Sequence, residues 1–253
     1  MKKILYAIFI ITMIFSITSC KKGEVKTDGA IQPKTSDSPH WKKIISKNEL
    51  KIGVPDTENG FCSELIDAFA KELGIPVTKI VTDSDFKILL EDGTIDMYWG
   101  LYPKEASNSF DFTFSTPYAT TTAVLITLAG NASKPDTKND VIGIVKNSAE
   151  EFLAEGKYEN IKSFNSVNEL MSSLQNGNIR FAMLNNCEYE GSAYASSDKF
   201  IIQDTSMYNL VIAFKDGYTD LAAETDKTLA KIKASGDASE ISIKWYGKDL
   251  ISK

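Results

Sequence analysis

Residues 50–74, LKIGVPDTENGFCSELIDAFAKELG, hold the reading that decides the fold. Leu50, Ile52 and Val54 alternate with Lys51 and Gly53 and stop at Pro55, as a strand does. After a short polar loop, Phe61, Leu65, Phe69 and Leu73 recur every four residues up to Gly74. That spacing predicts an amphipathic helix with a glycine stop. The same grammar continues outward. Residues 77–81 read as a strand, 85–90 as a short helix closed by Gly93, and 95–99 as a buried strand. In the second half, 141–145 and 179–184 read as strands. Ser148-Ala149-Glu150-Glu151 and Ser166-Val167-Asn168-Glu169 have the capping-box spacing of helix starts, the second followed by Leu170, Leu174 and a stop at Gly177. Leu221, Thr225, Leu229 and Ile232 form a last stripe ending at Gly236. Strands alternating with helices imply an α/β protein with parallel sheets packed between helices, and two such sets imply two lobes. In open α/β sheets ligands sit at the carboxyl ends of strands, beside helix N-termini. The functional loops are therefore expected at 55–60, 100–105, 146–149 and 185–188.

The ends of the chain and its composition narrow the function. Lys2 and Lys3 precede an apolar run from Ile4 to Ile17, and Ile17-Thr18-Ser19-Cys20 gives way to Lys21-Lys22-Gly23. A charged start, a short apolar core and small residues before a cut describe a secretory signal over 1–19. The run is shorter than the ~20 residues that span a bilayer, which weighs against an uncleaved anchor. The cysteine after the small residues resembles the lipobox of bacterial lipoproteins, with Ile17 where leucine is usual. That resemblance implies an acylated (palmitate-bearing) Cys20 and a chain held outside the cytoplasmic membrane, periplasmic or on the outer surface. Residues 20–40 read as a flexible tether. The formal charge of −6, without a basic cluster, argues against nucleic acid as a partner. His40 is the only histidine, which removes most His-based triads and His-rich metal sites. Arg180 is the only arginine among 28 basic residues. Cys62 and Cys187 read as free, partly buried thiols, although an exported protein could pair them.

From residue 50 to 247 the chain resembles the extracellular solute-binding proteins of family 3, the polar amino-acid binders of ABC importers. Leu50-Lys51-Ile52-Gly53-Val54 resembles the family's first strand, and Gly60-Phe61-Cys62-Ser63-Glu64-Leu65 its Gly-Phe-Asp-x-Asp/Glu-Leu. Gly93-Thr94-Ile95-Asp96, Phe114-Ser115-Thr116-Pro117-Tyr118 and Trp245-Tyr246-Gly247 follow in the expected order. The resemblance implies a two-lobed periplasmic-binding-protein fold of type II with two hinge strands. Lobe one would be 41–125 plus 210–253 and lobe two 126–209. The protein would be a monomer without cofactor or catalytic residues. It would bind a small polar solute between its lobes and pass it to an ABC permease.

The chain departs from the family where the ligand belongs. Gly100-Leu101-Tyr102-Pro103-Lys104-Glu105-Ala106 holds no arginine to fork onto a carboxylate; Lys104 offers charge without the planar fork. The family's ammonium-pairing acid falls at Asn185, and its Gly-Thr/Ser loop becomes Lys146-Asn147-Ser148. The expected ligand residues are Asp56, Trp99, Gly100, Tyr102, Lys104, Asn147, Ser148 and Asn185. Trp99 and Tyr102 would form an aromatic wall, Asp56 would accept from an ammonium, and Ser148 would cap a helix. Trp245 is expected to close the last helix onto lobe one, and Arg180 to form a surface ion pair. Two other functions remain in view. One is an enzyme on the same scaffold using Glu58, Glu64 or Glu105. The other is a sensor or surface-interaction lipoprotein that uses the scaffold without transport.

Overall fold

The computed structural model describes residues 39–55, 60–82, 86–109, 111–131 and 133–251. The leader, Cys20 and Asp56 lie outside the described residues. Helix α1 (Pro39–Lys47) starts two residues before the domain start read from sequence. His40, assigned by sequence to the tether, belongs to this helix. Its Nδ1 lies 2.6 Å from the Asp220 carboxylate and its ring stacks on Tyr218 at 3.7 Å.

Two parallel three-stranded units make the halves of the molecule. In the first, β1 (Leu50–Val54), α2 (Phe61–Leu73), β2 (Val77–Val81), α3 (Phe86–Asp92) and β3 (Met97–Pro103) place β1 between β2 and β3, all parallel. In the second, β6 (Val141–Val145), α4 (Ala149–Glu155), β7 (Asn160–Phe164), α5 (Val167–Gln175) and β8 (Phe181–Asn185) repeat the arrangement around β6, and α6 (Asn186–Glu190) follows. Short β4 (Phe112–Phe114) leads into β5 (Ala119–Leu128), and β9 (Phe200–Lys215) runs antiparallel to both. The sheet order is β2-β1-β3-β9-β5-β8-β6-β7. Thus the antiparallel pair β5 and β9 carries the chain between the two parallel units. Helices α7 (Thr219–Ser235) and α8 (Asp237–Tyr246) return to pack on α2.

The helix boundaries follow the sequence signals. Gly74 and Gly236 close α2 and α7 in the left-handed region, with φ of 75° and 90°, where a side chain would be strained. Ser148 and Ser166 cap α4 and α5, each accepting from the backbone N–H three residues on. Glu151 and Glu169 reach back one residue further than in a capping box, to the N–H groups of Asn147 and Asn165. Asn147 sits at φ 62°, a conformation asparagine tolerates better than most residues.

Strand alternation sorts the core. Met97 and Trp99 on β3 face the cluster built on Ile52, Phe69 and Ile212, while Tyr98 and Tyr102 face a second cluster with Phe86, Val211 and Ala213. A third cluster, Val124, Ile126, Leu170, Leu174 and Leu184, fills the second half. Each fully buried aliphatic side chain of this kind contributes about 1.5–3 kcal/mol. Trp245 does not close α8 onto the core: it is 41% exposed. Its neighbour Tyr246, about 100° further round the helix, turns inward and meets Phe61 edge-on at 5.1 Å.

Candidate functional site

The carboxyl ends of the parallel strands from both halves converge on one cavity. Leu101 at the end of β3, Leu210 on β9, Tyr246 on α8 and Leu250 wall one side. Ser148 and Glu150 at the start of α4, Asn185 at the end of β8 and Glu188 on α6 wall the other, with Thr121 and Tyr208 of the crossing strands between them. The cavity measures about 20 Å³, space for one water-sized occupant. The two halves meet beside it. Phe152 of α4 packs edge-on against Tyr102 at 5.0 Å and reaches Phe86 at 6.3 Å. Lys248, next to Tyr246 and Gly247, pairs with Glu190 of α6.

A buried polar chain crosses the cavity floor. The Asn185 amide donates to the Thr121 hydroxyl and to the Tyr208 hydroxyl, each at 3.0 Å. Tyr208 donates in turn to the Glu150 carboxylate at 2.7 Å. The Asn185 oxygen accepts the Cys187 N–H at 2.9 Å and so caps α6. An aspartate here could not donate to Thr121 and Tyr208, which accounts for an amide at this position. Burial holds the Glu150 carboxyl above its ordinary value, opposed by its hydrogen bonds to Tyr208, its own N–H and Ser148. Glu188 lines the cavity but is itself solvent-exposed. The protein around it, and then the charge of Glu150, raise its carboxyl to about 7.

The expected site residues divide. Ser148 and Asn185 line the cavity, and Asn147 supports the helix start beside it. Trp99 and Tyr102 do not form an aromatic wall. Three residues apart on one strand, they point to opposite faces. Trp99 is fully buried between Phe69 at 5.2 Å and Tyr118 at 5.7 Å. Tyr102 stacks on Phe114 at 5.8 Å. Leu101, which shares the Trp99 face at the strand end, reaches the cavity instead. Gly100 is within β3 rather than in a loop. The Tyr98 ring folds across it, leaving no room for a Cβ, and its carbonyl accepts the Tyr118 hydroxyl at 2.7 Å. Lys104 is exposed at the start of a 3₁₀ turn, Lys104–Ser109, and is not among the cavity residues. Among the described residues the sequence reading missed Glu150, Glu188, Tyr208 and Tyr246. Glu150 and Glu188 were legible as acids inside the predicted loops 146–149 and 185–188 or directly beside them. Tyr246 stood in the Trp245-Tyr246-Gly247 motif without being read as a site residue, and Tyr208 carried no local signal.

Arg180 pairs with Asp140 at 2.5 Å and donates to Asn131 and Ser133, as an ion-pair residue. It precedes β8, so the strand separates it from Asn185 by roughly 17 Å. Cys62 and Cys187 are free thiols. Burial pushes Cys62 up to about 12, and its sulfur lies 3.6 Å from the Tyr118 hydroxyl.

Residues 52–248 match the profile of the bacterial extracellular solute-binding proteins, family 3. The chain belongs to this family. The L-cystine-binding protein TcyA of Bacillus subtilis (strain 168) is 24% identical over 99% of this chain and 99% of its own length. Among solved structures, an ABC uptake transporter substrate binding protein from Streptococcus pneumoniae with bound histidine is 22% identical. It superposes with a TM-score of 0.66 over 85% of this chain and 98% of that one. An ancestral amino acid-binding protein, a precursor of cyclohexadienyl dehydratase, is 19% identical, with a TM-score of 0.63 over 81% and 98%. The fold of this family 3 chain is therefore the two-lobed type II periplasmic binding fold. Its homologues are solute-binding proteins rather than enzymes. No helix among the described residues is long and apolar enough to cross a membrane.

Proposed function

We propose that this chain is the lipid-anchored receptor of an ABC importer, which captures an amino acid or related small polar solute between its lobes. The lobes divide at about residues 125/126 and 209/210. Acylated Cys20 holds the monomer at the membrane, and residues 21–38 give it reach to a permease. The observation that carries the reading is the cavity where strand ends of both halves meet over the crossing strands β5 and β9. A solute touching both walls favours the closed state through contacts that the open state lacks. Ser148 and Asn185 supply polar contacts, and Glu150, Glu188 and Tyr208 add to them.

The test is thermal denaturation against a panel of amino acids, small peptides, amines and organic acids. A solute at a hundredfold excess over its Kd adds about 2.7 kcal/mol to stability. A clear upward shift with one chemical class is expected. A panel that moves nothing contradicts the receptor reading.

A further inference from the structure

Resting on that receptor reading, we infer that the solute is an organic cation without a carboxylate. Because the cavity as it stands has room for only one water-sized group, the halves must part to admit it; an amine or amidine would then set its positive nitrogen between Glu150 and Glu188 and its aliphatic body against Leu101, Leu210 and Leu250. The charge of the cavity carries the argument. Two carboxylates line it, buried Glu150 from α4 and exposed Glu188 from α6, and the charge of Glu150 raises the Glu188 carboxyl. The groups that meet Glu150 are the Tyr208 hydroxyl, the Ser148 hydroxyl and its own backbone N–H, all neutral. None of the cavity residues is lysine or arginine. Arg180 is committed at the far end of β8, and Lys248 is paired with Glu190. Glu150 is the buried member of the pair and Glu188 the exposed one; a buried carboxylate met only by neutral groups favours a positive partner.

A solute carboxylate in the same space would meet two like charges and no counter-charge. The opposite wall accepts no second charge either: Leu101, Leu210 and Leu250 are apolar, and Tyr246 offers a phenol and a ring face. That combination suits an alkyl or aromatic amine better than a bare metal ion, which needs several oxygen ligands. Among the described residues no group of three His, Cys, Asp or Glu is placed to hold a metal.

Matched pairs isolate the carboxylate. Isothermal titration of the full-length chain at pH 8 compares L-arginine with agmatine, L-lysine with cadaverine, L-histidine with histamine, and L-cystine with cystamine. At least one amine is expected to bind tenfold or more tighter than its parent amino acid. Glu188→Gln is expected to weaken that amine at least tenfold without lowering the thermal midpoint of the ligand-free chain. An amino acid that binds as tightly as its decarboxylated partner overturns the inference and leaves the receptor reading standing. Silence from every pair overturns the inference, and a silent wider panel overturns the receptor reading with it. An amine that binds equally well to the Glu188→Gln chain also overturns the inference, because the charge would then be met elsewhere.

Discussion

Tyr208 joins three side chains that no sequence motif connects. Its hydroxyl donates to buried Glu150 and accepts from Asn185, which itself bonds Thr121. Tyr208→Phe removes the only side-chain donor that β9 supplies to this carboxylate. The expected loss is about 1.5–3 kcal/mol, the range for a hydrogen bond to a charged group, read by urea denaturation. Glu150→Gln keeps a polar partner for Tyr208 and removes the buried charge, so it is expected to cost less than Tyr208→Phe. Gly100→Ala forces a methyl group into the Tyr98 ring, which is held by stacking on Phe86 at 4.0 Å. Overpacking of that kind costs roughly 1–3 kcal/mol, measured in the same way. At this scale sequence reading reached part of the site. Asn185 and Ser148 stood out because each ends a strand or starts a helix at a position fixed by the pattern. Trp99 and Tyr102 misled because residue type was weighed over strand parity: residues three apart cannot share a face. Tyr208 and Tyr246 come from segments distant in sequence, and only the assembled sheet brings them to Glu150.

At the scale of elements, α4 does two jobs. Its first turn presents Ser148 and Glu150 to the cavity, and Phe152 one turn on packs against Tyr102 and Phe86 of the other half. Shortening Phe152 therefore acts on closure as well as on packing. Phe152→Ala is expected to destabilise by less than the about 3–5 kcal/mol of a fully buried phenylalanine, since this ring is half-buried. It is also expected to raise the radius of gyration of the ligand-free chain in small-angle X-ray scattering. An unchanged radius would mean that Phe152 does not hold the halves together. Most elements were legible because apolar period and glycine stops agree, as in α2 with Phe61, Leu65, Phe69 and Gly74. The ends were less so. β3 runs on to Pro103, past the glycine taken as a loop, because a ladder with β9 accommodates an irregularity between Tyr98 and Tyr102. The crossing of β5 and β9 had no signature of its own, since antiparallel pairing over such a sequence distance is a tertiary event.

For the whole molecule, two carboxylates from different helices share one cavity, so stability depends on pH. The protein crowded around Glu188, although the residue reaches solvent, and then the Glu150 charge raise its carboxyl from 4.5 to about 7. The folded form thus binds this proton more tightly than the unfolded chain. Its stabilisation is fully present below about pH 4.5 and is lost as pH rises to about 7. Of the titratable groups, Glu150 from α4, Tyr208 from β9 and Tyr246 from α8 share this pocket with Glu188, while Cys187, Glu190 and Lys248 lie beside it on and next to α6. Other carboxylates titrate as well, so the difference between chains is what counts. The ligand-free thermal midpoint is expected to fall more steeply between pH 5 and 7.5 in the natural chain than in Glu188→Gln. Parallel profiles would remove Glu188 from the account. The central claim is that the two lobes close on one small solute. Native mass spectrometry of the chain incubated with a pooled panel of amino acids, amines, peptides and organic acids tests it most directly. The expected result is a single solute per chain, of one chemical class and lost on unfolding. A bare chain, or several different solutes held without preference, would contradict it.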